Sequence, residues 1–117
     1  MEEALIIEKV WGRENVLVNE PEYCCKVLNI FKGQRCSLHY HKQKKETFIV
    51  RQGRVFFEQR DIRGTPFIET LHKGDSRTIM PGTPHRFSSS GGAILLEVST
   101  HHEDSDVTRL EPSGPCS

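Results

Sequence analysis

No sign of charge dominates this chain. Its 117 residues hold 16 Lys plus Arg against 16 Asp plus Glu, with no block of like charge. Composition therefore gives neither nucleic acid nor an acidic membrane surface a reason to bind. Cysteine pairs at metal-binding spacing are missing as well. Cys24, Cys25, Cys36 and Cys116 contain no CxxC pair, and the reading is four free thiols in a reducing compartment. Long apolar runs are absent too. The first residues, MEEALIIEKVWG, start acidic, and their apolar run is too short for a signal h-region or a membrane span. A cytoplasmic protein with no membrane partner is expected. Helical periodicity never extends over three turns, which leaves only a turn or two of helix near residues 102–107.

What the chain does have is a series of short β-prone runs separated by Gly, Pro and Asp. The runs are KVLNIF (26–31), CSLHYH (36–41), ETFIV (46–50), RVFFEQ (54–59), PFIETL (66–71), SRTIM (76–80), HRFSS (85–89) and AILLEVS (93–99). Strands at this spacing predict an all-β sandwich or barrel. The length suits one domain, expected over residues 1–110, with a frayed tail at 111–117. Trp11, Phe48, Phe56, Phe57, Phe67 and Phe87 are assigned to the core.

The stretch HYHKQKKE, residues 39–46, concentrates ligand-type side chains. Residues i and i+2 of a strand share a face, so His39 and His41 point the same way, joined by Ser37. A short connection then brings Glu46 onto the next antiparallel strand, close to both imidazoles. Lys42, Lys44 and Lys45 fall in the turn and read as a solvated loop. The competing reading is a basic rim, with Lys45 as its substrate contact.

The wider spacing is Gly33-x5-His39-x-His41-x4-Glu46-x6-Gly53. It resembles the first motif of the cupin superfamily at every fixed position. Gly74, Gly82 and His85 are similar to the second cupin motif, with Met80 and Ser89 in place of its Pro and Asn. The resemblance implies a double-stranded β-helix, a jelly-roll-like barrel. It also implies one divalent metal ion (Zn, Mn, Fe, Ni or Co) held by His39, His41, Glu46 and His85. Three neutral imidazoles and a carboxylate would leave such an ion one net positive charge and, in octahedral geometry, two open positions.

Glu8-Lys9-Val10-Trp11-Gly12 and the segment from Glu103 to Arg109 resemble the cupin domain of mannose-6-phosphate isomerases. That likeness implies a sugar or sugar phosphate as small-molecule substrate and isomerisation or epimerisation as the reaction. The donor set leaves two alternatives open, an Fe(II) dioxygenase and a non-catalytic metal- or sugar-binding module. In AILLEVS, Glu97 shares a face with Ala93, Leu95 and Ser99. An inward face would make it a buried carboxylate and the candidate catalytic base. Arg86 and His101 are further candidates for substrate contact. A homodimer is expected, with the apolar strand Leu5 to Ile7 pairing across a two-fold axis.

Overall fold

The computed structural model describes residues 5–116, so residues 1–4 of the expected domain and Ser117 of the expected tail lie outside it. Thirteen strands are present among the described residues. They are β1 (Leu5–Lys9), β2 (Gly12–Asn19), β3 (Cys24–Ile30), β4 (Gln34–Arg35), β5 (Leu38–Tyr40), β6 (Glu46–Gly53), β7 (Val55–Arg60), β8 (Pro66–Leu71), β9 (Ser76–Ile79), β10 (His85–Ser89), β11 (Ala93–Ser99), β12 (Thr108–Glu111) and β13 (Gly114–Pro115). One turn of 3-10 helix, Asp104–Asp106, precedes β12. No helix among these residues is long and apolar enough to cross a membrane.

All pairings are antiparallel. One sheet runs β1-β2-β3-β11-β6-β9; the other runs β12-β5-β10-β4-β13, with β7 joining β10 and β8 beyond it. This is the all-β barrel expected from the spacing of the runs. Alternation explains how the strands face. Along β3 and β11 every second residue is buried, and the inward rows meet in a core that includes Trp11, Leu28, Ile30, Phe48, Val50, Phe57, Phe87 and Leu95. Two of the aromatic assignments need correction. Phe67 is exposed on β8, which has β7 on one side only. Phe56 is only half-buried, with the Arg54 guanidinium over its ring.

Two close approaches demand glycine. A Cβ on Gly12 would lie 1.8 Å from the carbonyl oxygen of Asn29 on the neighbouring strand. Gly53 has φ +82°, and a Cβ there would meet the Gly92 carbonyl at 2.5 Å. The segment expected to fray is instead held down. β13 pairs with β4, and the Cys116 amide donates to the Gly33 carbonyl at 2.7 Å. Backbone pairing supplies what its composition does not advertise.

Candidate metal centre and the cavity around it

The centre forms where three strands converge. His39 lies on β5, His41 immediately follows it, and Glu46 and His85 open β6 and β10. Backbone register places His85 directly opposite His39. One donor atom from each of the four residues lies within 4.8 Å of the other three, so the group is positioned for a metal ion. Glu46, His41 and His85 are buried and His39 is half-buried.

Each imidazole is oriented through its other nitrogen. His39 Nδ1 donates to the Ser37 carbonyl (2.7 Å), His41 Nδ1 to the Asp106 carbonyl (2.8 Å) and His85 Nδ1 to the Thr83 carbonyl (2.8 Å). These bonds select one tautomer and turn all three Nε2 lone pairs inward, as metal-binding histidines require. Burial holds His39 down to about 3 and His41 down to about 4, so both rings are neutral donors at neutral pH. For Glu46, burial works against the charge. The adjoining His85 and the Lys44 ammonium outweigh it and keep the carboxyl below the ordinary range.

The fit to a cation rests on one contact. His85 Nε2 and Glu46 Oε1 are 2.6 Å apart, yet His85 Nε2 and both Glu46 oxygens have no hydrogen-bond partner. With its Nδ1 engaged by Thr83, His85 meets the carboxylate through Nε2. A buried imidazole nitrogen and a carboxylate oxygen at that separation share a cation, a proton or a metal ion. A three-imidazole, one-carboxylate set without thiolate suits a first-row divalent ion.

The turn between His41 and Glu46 differs from its solvated reading. The Asp106 carboxylate accepts the backbone amides of Lys42 (2.8 Å), Gln43 (3.2 Å) and Lys44 (3.0 Å) and so fixes the loop that spaces the ligands. Lys44 points inward and is 4% exposed. Its ammonium lies 3.1 Å from Glu46 Oε2 and 3.1 Å from Glu97 Oε2. It also donates to His102 Nδ1 at 3.1 Å, and His102 Nε2 donates to Asp104 at 2.9 Å. Burial disfavours the Lys44 charge, but the two carboxylates override it and raise the pKa to about 12. Glu97 is pushed up by burial, against the pull of Lys44.

Glu97 is buried on the inward face of β11 and lines a cavity of about 720 Å³ together with His39, His41, Lys44, Glu46 and His102. That volume is in the range of small-molecule sites. The structure does not bring the other three substrate-contact candidates to this cavity. Lys45 is exposed, next in sequence to the lysine that turns inward. Arg86 is held on the far side of its strand by Glu58 (3.3 Å) and Glu111 (3.2 Å). His101 donates to the Glu20 carbonyl (3.0 Å) beside a separate, smaller cavity. Sequence reasoning read Lys44 as part of a solvated loop or basic rim, not as a buried partner of two carboxylates, and gave no role to Asp106 or to Arg109, which also lines the main cavity. For Asp106 and Arg109 the usable signal was the Glu103 to Arg109 segment; for Lys44 there was none beyond its place between the ligands.

Comparison with known proteins bears on this site. The cupin domain family model matches residues 27–99. A D-lyxose/D-mannose isomerase of Thermosediminibacter oceani is 34% identical across 83% of this chain and 66% of its own length. A D-lyxose ketol-isomerase of a Thermofilum species is 30% identical across 84% of this chain and 67% of its own. The chain thus spans about two thirds of the length of these curated relatives. Among solved structures, oxalate decarboxylase of Bacillus subtilis superposes with a TM-score of 0.81 over 92% of this chain and 30% of that one, at 20% identity. The Lactobacillus farciminis oxalate decarboxylase gives 0.79 over 92% and 34%, also at 20% identity. These two likenesses concern the fold alone.

Proposed function

Because the chain belongs to the cupin domain family, with relatives named as sugar isomerases, we propose that it is a metal-dependent aldose–ketose isomerase acting on a small sugar. The observation that carries this reading is the His39, His41, Glu46, His85 group, three of whose members line one cavity with a buried Lys44–Glu97 pair. A divalent ion held by those four residues supplies Lewis-acid polarisation of the carbonyl and neighbouring hydroxyl oxygens. The chain's own residues do the rest.

Glu97 takes the proton from the carbon beside the carbonyl and returns it to the adjacent carbon, while the proton of the neighbouring hydroxyl passes to the former carbonyl oxygen. Its position on an inward strand face favours that exchange. Lys44 holds the Glu97 carboxylate at 3.1 Å and presents an ammonium where negative charge develops on oxygen. The curved apolar wall of Leu28, Phe48 and Phe87 keeps water from the reacting carbons. Both relatives carry the names of unphosphorylated sugars, which supports D-lyxose or D-mannose over mannose 6-phosphate as substrate.

The test is proton exchange. Metal-loaded protein in heavy water should wash deuterium into the carbon next to the carbonyl of D-lyxose or D-mannose, and metal-free protein should not. Oxygen uptake with native iron would instead support a dioxygenase. Sugar binding without exchange would support a non-catalytic module. Four unpaired thiols favour a reducing, cytoplasmic setting. The edge position of β1, with Leu5 and Ile6 exposed, supports a homodimer; light scattering that finds a monomer at high concentration would reject it.

A further inference from the structure

The polar track in the cavity does not stop at Glu97. Lys26 on β3 stands directly opposite Glu97 in the sheet register, one strand further from the metal group. It is 3% exposed and lines the same cavity. Its one hydrogen-bond partner among the described residues is Glu14 Oε1, at 3.4 Å. An ammonium carries three N–H donors, so Lys26 keeps two for whatever fills the cavity. The other Glu14 oxygen accepts no protein hydrogen bond among the described residues. Lys26 is buried and Glu14 half-buried, its side chain 15% exposed, so the pair is open toward the cavity for a ligand to complete.

We propose that Lys26 and Glu14 form a distal subsite that binds the terminal hydroxyls of an open-chain, uncharged sugar and disfavours the same sugar with a terminal phosphate. This rests on the isomerase reading above. A hydroxyl accepts from Lys26 and donates to Glu14 at once, which neither a methyl nor a phosphate does. Neighbouring strands lie about 4.8 Å apart, which puts β3 roughly 10 Å across the sheet from β6. An extended five- or six-carbon chain anchored at the metal group reaches that far. Charge points the same way. Each buried ammonium here already has a carboxylate, Lys44 with Glu46 and Glu97 and Lys26 with Glu14. A phosphate dianion entering the subsite would meet Glu14 and Glu97 as like charges, which the cavity's remaining cations, Lys9 and Arg109, would have to outweigh.

The experiment pairs truncation of the residue with truncation of the ligand. Metal-loaded protein is titrated calorimetrically with D-arabinitol, an unreactive five-carbon polyol, with four-carbon erythritol, and with D-arabinitol 5-phosphate. The wild type should prefer D-arabinitol to erythritol by about tenfold or more, the scale of a hydrogen bond to a charged group. It should also prefer D-arabinitol to the phosphate ester. Lys26→Met should bind the two polyols within about twofold of each other, and Glu14→Gln should narrow the preference against the ester. Metal content and melting temperature report whether each variant is folded and loaded. If Lys26→Met does not fold, Glu14→Gln, whose side chain is nearer the surface, decides the matter by the same polyol comparison. Variants that keep the full wild-type preferences, alongside intact D-lyxose isomerisation, overturn the subsite and leave the isomerase reading standing. A wild type that binds none of the three ligands and exchanges no sugar proton removes both.

Discussion

The two ends of the barrel interior are built from the same strands and have opposite character. Reading β3 by twos, the inward row is Cys24, Lys26, Leu28, Ile30; reading β11 it is Ala93, Leu95, Glu97, Ser99. Because these strands are antiparallel, the start of one adjoins the finish of the other. Both therefore turn polar at one end and apolar at the other. β6 follows suit, with Glu46 at the polar end and Phe48 and Val50 beyond it. Alternation decides which face of a strand looks inward; position along the strand decides whether that face holds the fold together or carries chemistry. The apolar end buries side chains that stabilise. The polar end buries Lys26, Lys44, Glu46 and Glu97, whose desolvation opposes folding unless each charge is matched.

This contrast can be broken most forcefully at the polar end. His39→Ala/His41→Ala should abolish stoichiometric metal binding and leave a folded barrel; elemental analysis that still finds full occupancy would put the ion elsewhere. At the apolar end, Leu95→Ala should cost about 2–5 kcal/mol of stability without changing which metal binds. Denaturant titration checks this, and a loss under 1 kcal/mol would mean the dry end is not what holds the molecule. Glu97→Gln preserves shape and should lower turnover by roughly a hundredfold or more with metal content unchanged. A fully active variant on a verified sugar would reject Glu97 as the base. Asp106→Ala frees the turn between the ligands and should weaken metal affinity about ten- to a hundredfold, read by competition with a chelating dye. The smallest effect sharpens the boundary of the site. His101→Ala lies outside the cavity and should change turnover by no more than about twofold. The same change at His102, which touches Lys44, should do more.

Most of the frame was legible because it repeats with period two. PFIETL, HRFSS and AILLEVS become β8, β10 and β11 with the same bounds, and parity put Glu97 on the inward face it occupies. The four residues in metal-binding array were legible through motif spacing. What escaped the reading had no period to reveal it. β4 and β13 are two residues each, and β2 carries a bulge between Val16 and Val18 that interrupts its alternation. Lys44 sits between β5 and β6, where strand parity says nothing about direction, and a neighbouring lysine of the same type points outward. His101 and His102 are adjacent in a loop, and nothing in the sequence says which ring turns toward the cavity; the contact of His102 with Lys44 does.

The Asp106 clamp also sets an order of events during synthesis. His41 and the residue whose carbonyl orients it are 65 positions apart, and the turn amides are 62–64 positions from the carboxylate that gathers them. On the ribosome, the ligand loop therefore emerges well before its fastening, by roughly 3–13 seconds at ordinary elongation rates. Until residue 106 arrives, the loop has neither its spacing nor one of its imidazole orientations. Metal capture by the nascent chain would thus be disfavoured, and an ion held by the four residues would be acquired only after Asp106 has fastened the loop.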